Sequence, residues 1–344
     1  MLVRSLSLRR KLLVAAGLAA IAMAPLAAQP EAKSPSGKPP VDYTIMHAQV
    51  ILDSLGFAPG IVDGREGQSL TAALKGFQQS QGLTTSGKLD RATLGALHQY
   101  RERRPVTRVT LDPAMLQGPF INPTPKDPED QAKLPALAYT RPLEKLAEMF
   151  HTTPEVLVEL NPGGGAIRPG ATFVFPNVVP SSRDYAGDLK PEWRQTLTDL
   201  NVDAHQPAGD HIVVDKSEKV LKVFDTNDTL VAQFSATMGS QHDPLPIGTW
   251  KINVVDTNPK FHYNPDLFWD AKKDDEKAML PPGPNGPVGV VWLDLSKEHY
   301  GIHGTPEPQT IGRTQSHGCI RLTNWDAARL ALMIKPGAEA VFQE

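Results

Sequence analysis

The chain has 344 residues, with 35 Lys and Arg against 38 Asp and Glu and a formal charge of −3. At about 100 to 200 residues per domain it holds two or three units, each able to bury a core. Charge this balanced gives no broad basic field, which excludes nucleic acid as an expected partner, and a single cysteine excludes an internal disulfide framework.

The first residues read as an export signal. Arg4, Arg9, Arg10 and Lys11 flank an apolar run from Leu12 to Ala24, which is short for a membrane span and arranged as a secretory signal is. Residues 1–28 are expected to be a signal peptide cut after Ala28, with the mature chain exported to the periplasm or cell wall. Leu26 is large for its place before the cut, so retention as an anchor stays open, and membrane contact is expected only in that case. No cysteine follows the run, which removes lipid attachment there. Residues 29–41, rich in Pro, Ser and Lys, read as a tether.

Residues 42–100 follow helical spacing. Ile45, Ala48, Leu52 and Leu55 recur every three or four positions up to Gly56. Leu70, Ala73, Leu74 and Phe77 do so up to Gly82, and Thr93, Leu94 and Leu97 suggest a third helix. With Leu55-Gly56-Phe57, Val62-Asp63-Gly64, Phe77-Gln78 and Gly82-Leu83, the unit resembles the small three-helix peptidoglycan-binding domain. A generic helical adaptor has the same periodicity, and Leu55 and Phe77 fit a core better than a ligand surface.

Seven prolines interrupt residues 101–137, which read as a linker that wraps a surface or stays extended. Residues 138–178 regain structure. Leu143, Leu146, Ala147 and Phe150 share a helical face, Thr153-Pro154 restarts a helix, and Val174-Phe175-Pro176 closes as a strand. The Leu160-Asn161-Pro162 turn and Ile167-Arg168-Pro169-Gly170 make this unit similar to a small α+β LysM-like module. Tyr139-Thr140-Arg141-Pro142 stands where the family opens with glycine, aspartate and threonine, which leaves glycan binding or a spacer role. Residues 179–209 read as another linker.

From 210 to 344 the pattern changes to strands. Ile212–Val214, Val220–Phe224, Leu230–Ser235, Thr249–Val255 and Val288–Leu293 are short apolar segments between polar turns, and one helix is expected from Trp325 to Ile334, capped by Thr323 or Asn324. Residues 257–287 are too polar and proline-rich for a core element, yet carry Phe261, His262, Tyr263, Phe268 and Trp269. Such a loop reads as a lid over a groove, or as a loop its aromatics pin to the sheet.

Chemistry concentrates at Ser316-His317-Gly318-Cys319-Ile320-Arg321-Leu322, around the only cysteine. A lone thiol in an exported chain is an intermolecular bridge, an inert buried residue or a nucleophile. Gly318 permits close backbone approach, and an imidazole is at hand in Ile302-His303-Gly304-Thr305. A free thiol has a pKa of about 8.5, so a partner that lowers it, holding a thiolate–imidazolium pair, is expected. His317 is adjacent in sequence, but consecutive side chains of an extended loop diverge, so His303 is the better base. Ser316 is the weaker nucleophile and fits a loop tether. Zinc at His299, His303, His317 and Cys319 is conceivable, but no Cys-x-x-Cys or His-Glu-x-x-His accompanies them.

The pairing of Ile-His-Gly-Thr with Ser-His-Gly-Cys-Ile-Arg-Leu resembles the signature of the L,D-transpeptidases with a YkuD-type catalytic domain. The resemblance spans 210–344. It implies a mainly β, sandwich-like domain with one or two short helices, Cys319 as nucleophile and His303 as base. His317, Gly318 and Arg321 fall on the motif's other fixed positions, with Gly304 and Ser316 beside them as oxyanion or substrate-binding candidates. It further implies peptidoglycan stem peptides and glycan as partners, carbapenem-type β-lactams as inhibitors, and no cofactor or metal. Water as acceptor would make a carboxypeptidase or endopeptidase instead, and a non-catalytic wall-binding protein is the reading from another class.

Overall fold

The computed structural model describes residues 39–269, 271–272 and 275–344, so the expected signal peptide lies outside the described residues. The first helix, α1 (Tyr43–Ser54), starts at Asp42, whose carboxylate accepts from the backbone N–H of Thr44 and Ile45 and so satisfies two of the donors a helix start leaves unpaired. α2 (Gln68–Ser80) and α3 (Arg91–Leu97) follow. Ala48, Ile51 and Leu52 of α1 pack with Leu70, Leu74, Phe77 and Leu97, and Phe57 meets Phe77 edge-on at 5.8 Å. The other side of α1, Met46 and Val50, enters the core of the next unit. A helix apolar on both sides must be covered on both.

That next unit corrects the reading of 101–137 as a linker. β1 (Val106–Thr110) lies inside it, followed by the short α4 (Pro128–Gln131). Then come α5 (Pro142–Met149), α6 (Pro154–Leu160) and β2 (Thr172–Pro176). β1 pairs antiparallel with β2, Val106 opposite Pro176, and Phe150 stacks on Phe175 at 4.0 Å. The segment 179–209 is no free linker either. It forms α7 (Pro191–Asp199), whose buried Trp193 and Leu197, with Leu200 and Val202 after them, join the core of the C-terminal domain.

The C-terminal domain continues with β3 (His211–Asp215), β4 (Val220–Phe224), β5 (Leu230–Ser235), β6 (Thr237–Met238) and β7 (Gly248–Thr257). β8 (Phe261–Tyr263) and β9 (Ala278–Leu280) form a hairpin inside the expected lid. β10 (Val291–Leu295), β11 (Gly301–His303), β12 (Ile320–Arg321), α8 (Asn324–Met333) and β13 (Glu339–Gln343) complete it. One nine-stranded sheet runs β5-β4-β3-β13-β7-β10-β11-β12-β6. β7 is shared: Gly248–Lys251 pair with β13 and Ile252–Thr257 with β10. Apolar residues from both halves and from α8 enclose one core with Trp325 fully buried.

All described residues fall in one compact unit. The three-helix unit docks on β5, an edge of the sheet. Ala58 N–H donates to Gln233 O at 2.8 Å, Gln233 N–H to Gly56 O at 2.9 Å, and Gln233 Nε2 to Ala72 O at 2.6 Å. Gly76 allows that approach, since a Cβ there would lie 2.7 Å from the Gln233 carboxamide. The edge that would otherwise present unpaired backbone is covered.

A buried charge cluster joins the three units. His151, after α5, has Nδ1 3.2 Å from Asp53 of α1 and Nε2 2.8 Å from Leu200 O, and its ring stacks on Trp325 at 5.0 Å. Arg329 of α8 donates to Asp53 O at 2.8 Å and lies 3.8 Å from Asp326. Burial pushes Asp53 up, but His151 and Arg329 outweigh it and hold the carboxyl below its usual range. Asp326 is pushed up to about 7, by burial first, because Arg329, Thr323 and His151 offset only part of it and Asp53 adds to the rise.

Candidate active site

Two strand pairings create the site. β11 and β12 run parallel, with Ile302 opposite Ile320 and His303 opposite Arg321, and β12 pairs on its other side with β6. A parallel pair needs a long connection, and the one used here, residues 304–319, returns the chain so that Cys319 precedes β12 while His303 ends β11. Both line a cleft of about 480 Å³, together with His317, Arg321, Tyr300 and Trp292 and, from the lid, Phe261, His262 and Phe268.

His303 is 4 % exposed, and its ring stacks on Trp292 at 5.6 Å. Nδ1 lies 2.7 Å from the Gly304 carbonyl. A carbonyl only accepts, so Nδ1 carries the hydrogen and Nε2 keeps the lone pair. No side chain near His303 announced this orienting group in sequence; the residue after it supplies it through the backbone.

Cys319 is half-buried, with Sγ 3.8 Å from the His299 carbonyl. Gly318 before it has φ +93°, and a Cβ there would meet the Tyr300 ring at 2.6 Å; only glycine fits both the left-handed backbone and the ring. Ser316 donates its hydroxyl to Cys319 O at 2.6 Å and its N–H to Gly239 O, the tether its place in the sequence suggested. His317 lines the same cleft as the thiol. Its ring meets Phe268 at 5.2 Å and Trp269 at 5.5 Å, so it is where the lid rests on the nucleophile loop.

Burial pushes His303 down to about 4, the Arg321 cation adds to this, and the Gly304 hydrogen bond offsets only part. Burial pushes the Cys319 thiol up, against the Gly301 backbone and Arg321, and Asp243 adds to the rise. Both shifts favour the uncharged forms, a thiol and an imidazole, over the ion pair expected from sequence. Desolvation disfavours both charges. Arg321 acts on both groups at once.

Sequence reasoning passed over Trp292, the Tyr300 ring and Asp243. Trp292 was read only as part of a strand, and nothing in spacing distinguishes a ring that shapes a cleft from one that fills a core. Among the described residues, His299, His303, His317 and Cys319 do not form a group that could hold a metal ion.

Residues 209–342 match the L,D-transpeptidase catalytic domain family, YkuD, and residues 43–97 match the family described as a peptidoglycan binding domain. YkuD of Bacillus licheniformis, which bears the name of an L,D-transpeptidase, is 28% identical over 198 residues, covering 57% of this chain and 89% of that protein. YbiS of Escherichia coli, named likewise, is 28% identical over 134 residues, 38% of this chain and 44% of that one. An L,D-transpeptidase structure from Mycobacterium smegmatis aligns at 20% identity and TM-score 0.32, over 39% of this chain and 58% of that one. L,D-transpeptidase 3 from Mycobacterium tuberculosis aligns at 18% identity and TM-score 0.33, over 40% and 62%. The chain thus spans less than two thirds of those solved structures. The two family matches fall on two of the units the fold sets apart, and the chain carries a YkuD-type L,D-transpeptidase catalytic domain behind an N-terminal peptidoglycan binding domain.

Proposed function

We propose that the chain is an exported peptidoglycan L,D-transpeptidase that works through a Cys319 thioester. Cys319 Sγ attacks the carbonyl of the diamino-acid residue in a donor tetrapeptide stem while His303 Nε2 takes the thiol proton. The oxyanion forms against the backbone N–H groups of Gly318 and Cys319. D-Ala leaves as the amine, protonated by the His303 imidazolium, and the acyl group stays on sulfur. An amine of a second stem then attacks the thioester, gives its proton to His303, and departs as the new amide, while the thiolate regains its proton. Arg321 on the cleft wall holds the loop or a substrate carboxylate.

The observation that supports this best is the Nδ1 bond to Gly304 O, which leaves His303 a basic nitrogen in the cleft that also holds the chain's only thiol. A neutral imidazole is the form a general base needs. Carbapenem-type β-lactams, which carry a strained acyl group, are proposed to acylate the same sulfur.

The test is mass spectrometry of purified muropeptides after incubation with wild type and with Cys319→Ser. Crosslinked dimers from wild type and unchanged material from the variant are expected, because a hydroxyl in nearly the same shape is the poorer nucleophile. Trimmed tripeptides without dimers would make water the acceptor. Unchanged material with both proteins would leave a wall-binding role, and activity of more than a few per cent in the variant would move the chemistry away from Cys319.

A further inference from the structure

Glu148 lies on α5, outside the catalytic domain, yet is 6 % exposed and faces the active-site scaffold. Its Oε1 accepts from Asn324 Nδ2 at 2.8 Å. Asn324, first residue of α8 and fully buried, donates its other amide hydrogen to Pro284 O at 3.0 Å, while its Oδ1 accepts from Val290 N–H at 3.2 Å. The carboxamide is thus fixed in one orientation.

What that amide touches matters. Its Oδ1 lies where the side chain of residue 304 would begin, 2.2 Å from the position of a Cβ on Gly304, and 1.9 Å from that of a Cβ on Gly289. Gly304 is the residue whose carbonyl holds His303 Nδ1. A turn of the amide would press on the Gly304 backbone and displace that acceptor. Glu148 is a costly way to hold an amide if stability were the only result. Burial pushes it up to about 7, and its hydrogen-bond partners, Tyr139 and Asn324, are neutral. A buried carboxyl that holds its proton more tightly folded than unfolded weakens the folded state as pH rises through its range.

We propose that Glu148 is a positioning residue for the reaction: through Asn324 it fixes the Gly304 carbonyl, and through that carbonyl the tautomer and orientation of His303. The LysM-like unit then contributes to the active site, not only to attachment. The proposal rests on the reading of His303 as the base, and its test separates the two. A displacement of an ångström at a reacting group costs about a hundredfold in rate, and one bond of the several that fix Gly304 accounts for part of that.

The experiment uses the full chain with ¹⁵N-labelled histidine, the His303 signals being identified by their loss in His303→Gln. Imidazole nitrogen shifts, melting temperature and the rate of Cys319 acylation by a carbapenem are measured for wild type, Glu148→Met and Glu148→Gln. Glu148→Met is expected to melt at or above wild type at pH 8, to lose about tenfold or more in acylation rate, and to move the His303 shifts toward a mixture of tautomers. Glu148→Gln, which keeps an acceptor for Asn324, is expected to restore most of both. A methionine variant with wild-type shifts and rate overturns the proposal. Should that variant not fold, Asn324→Asp takes its place: it sets two carboxyl oxygens against each other, and adding Glu148→Gln recreates a carboxylate–carboxamide pair with the roles exchanged. Wild-type His303 shifts in the single Asn324→Asp variant, or no recovery in the double variant, overturn it equally. If His303→Gln acylates like wild type, the base assignment fails, while the nitrogen shifts still decide whether Glu148 sets the ring.

Discussion

His303 is a weaker base than a free imidazole because of what surrounds it, and neutral for the same reason. With its pKa pushed down to about 4, the imidazole stays an acceptor of protons well below the 6.5 or so of a free histidine. The sign follows directly: acylation requires the unprotonated ring, so the acid limb of the carbapenem acylation rate is expected well below pH 6.5, toward about 4. Alkylation by iodoacetamide, which needs a preformed thiolate, is expected to rise only at or above the pH of a free thiol, since Cys319 is shifted upward. Stopped-flow acylation and alkylation profiles on one preparation check both, and coincident limbs near neutrality would restore the resting ion pair. The motif singled out Cys319 and His303 by residue types at fixed places, and the fold brings both to one cleft. The state of the pair was not legible, because it depends on burial that a sequence does not display.

Among the elements, those with a period were readable. β3, β4, β5 and β7, and the helices α1, α2 and α8, appear where alternation or three-four spacing placed them. β6, β11 and β12 have two or three residues each, too few to carry a period, and they are the strands that build the site. β1 was hidden among prolines. α7 was hidden by its polar face, since Glu192, Arg194, Gln195 and Thr198 outnumber the two residues that point inward. Trp193, 3 % exposed, makes α7 part of the core. Trp193→Ala should cost about 3 to 5 kcal/mol, the usual range for a large-to-small change in a core. Urea unfolding reads this, and a loss under about 1 kcal/mol would return 179–209 to the status of a linker. α8 brings a different liability. Asp326 binds its proton more tightly folded than unfolded, so its contribution favours the folded state below about pH 3.8 and is lost as pH rises toward 7. Asp326→Asn should raise the melting temperature at pH 8 and change it little at pH 4; an equal shift at both would mean that the carboxyl is ionised throughout.

At the scale of the molecule, the three units are held by burial and charge, not by tethers alone. Arg329 offsets Asp53 and, at longer range, Asp326. Arg329→Met removes the nearest guanidinium from both carboxyls and should cost about 3 to 5 kcal/mol, as broken buried pairs do. Deleting residues 42–100 should do more than weaken binding to insoluble sacculi. It uncovers β5 and takes Met46 and Val50 out of the second core, so turnover of small soluble muropeptides should fall with it and the product should self-associate. Light scattering and muropeptide assays check this. A monomeric truncation with full turnover would show that the helical unit only delivers the enzyme to its substrate.

The bridge between Phe57 and Gln233 also bears on how the chain reaches this state. It joins segments separated by the whole of the second unit, and closing so long a loop costs entropy before any contact repays it. Synthesis delivers the helical unit first, with α1 apolar on two sides and β5 not yet made. The parallel β11–β12 pair waits longer still, since β12 follows β5 and β11 in the chain. The thiol therefore meets its cleft only once β12 has joined the sheet, and the upward shift that burial gives it arises with that closure.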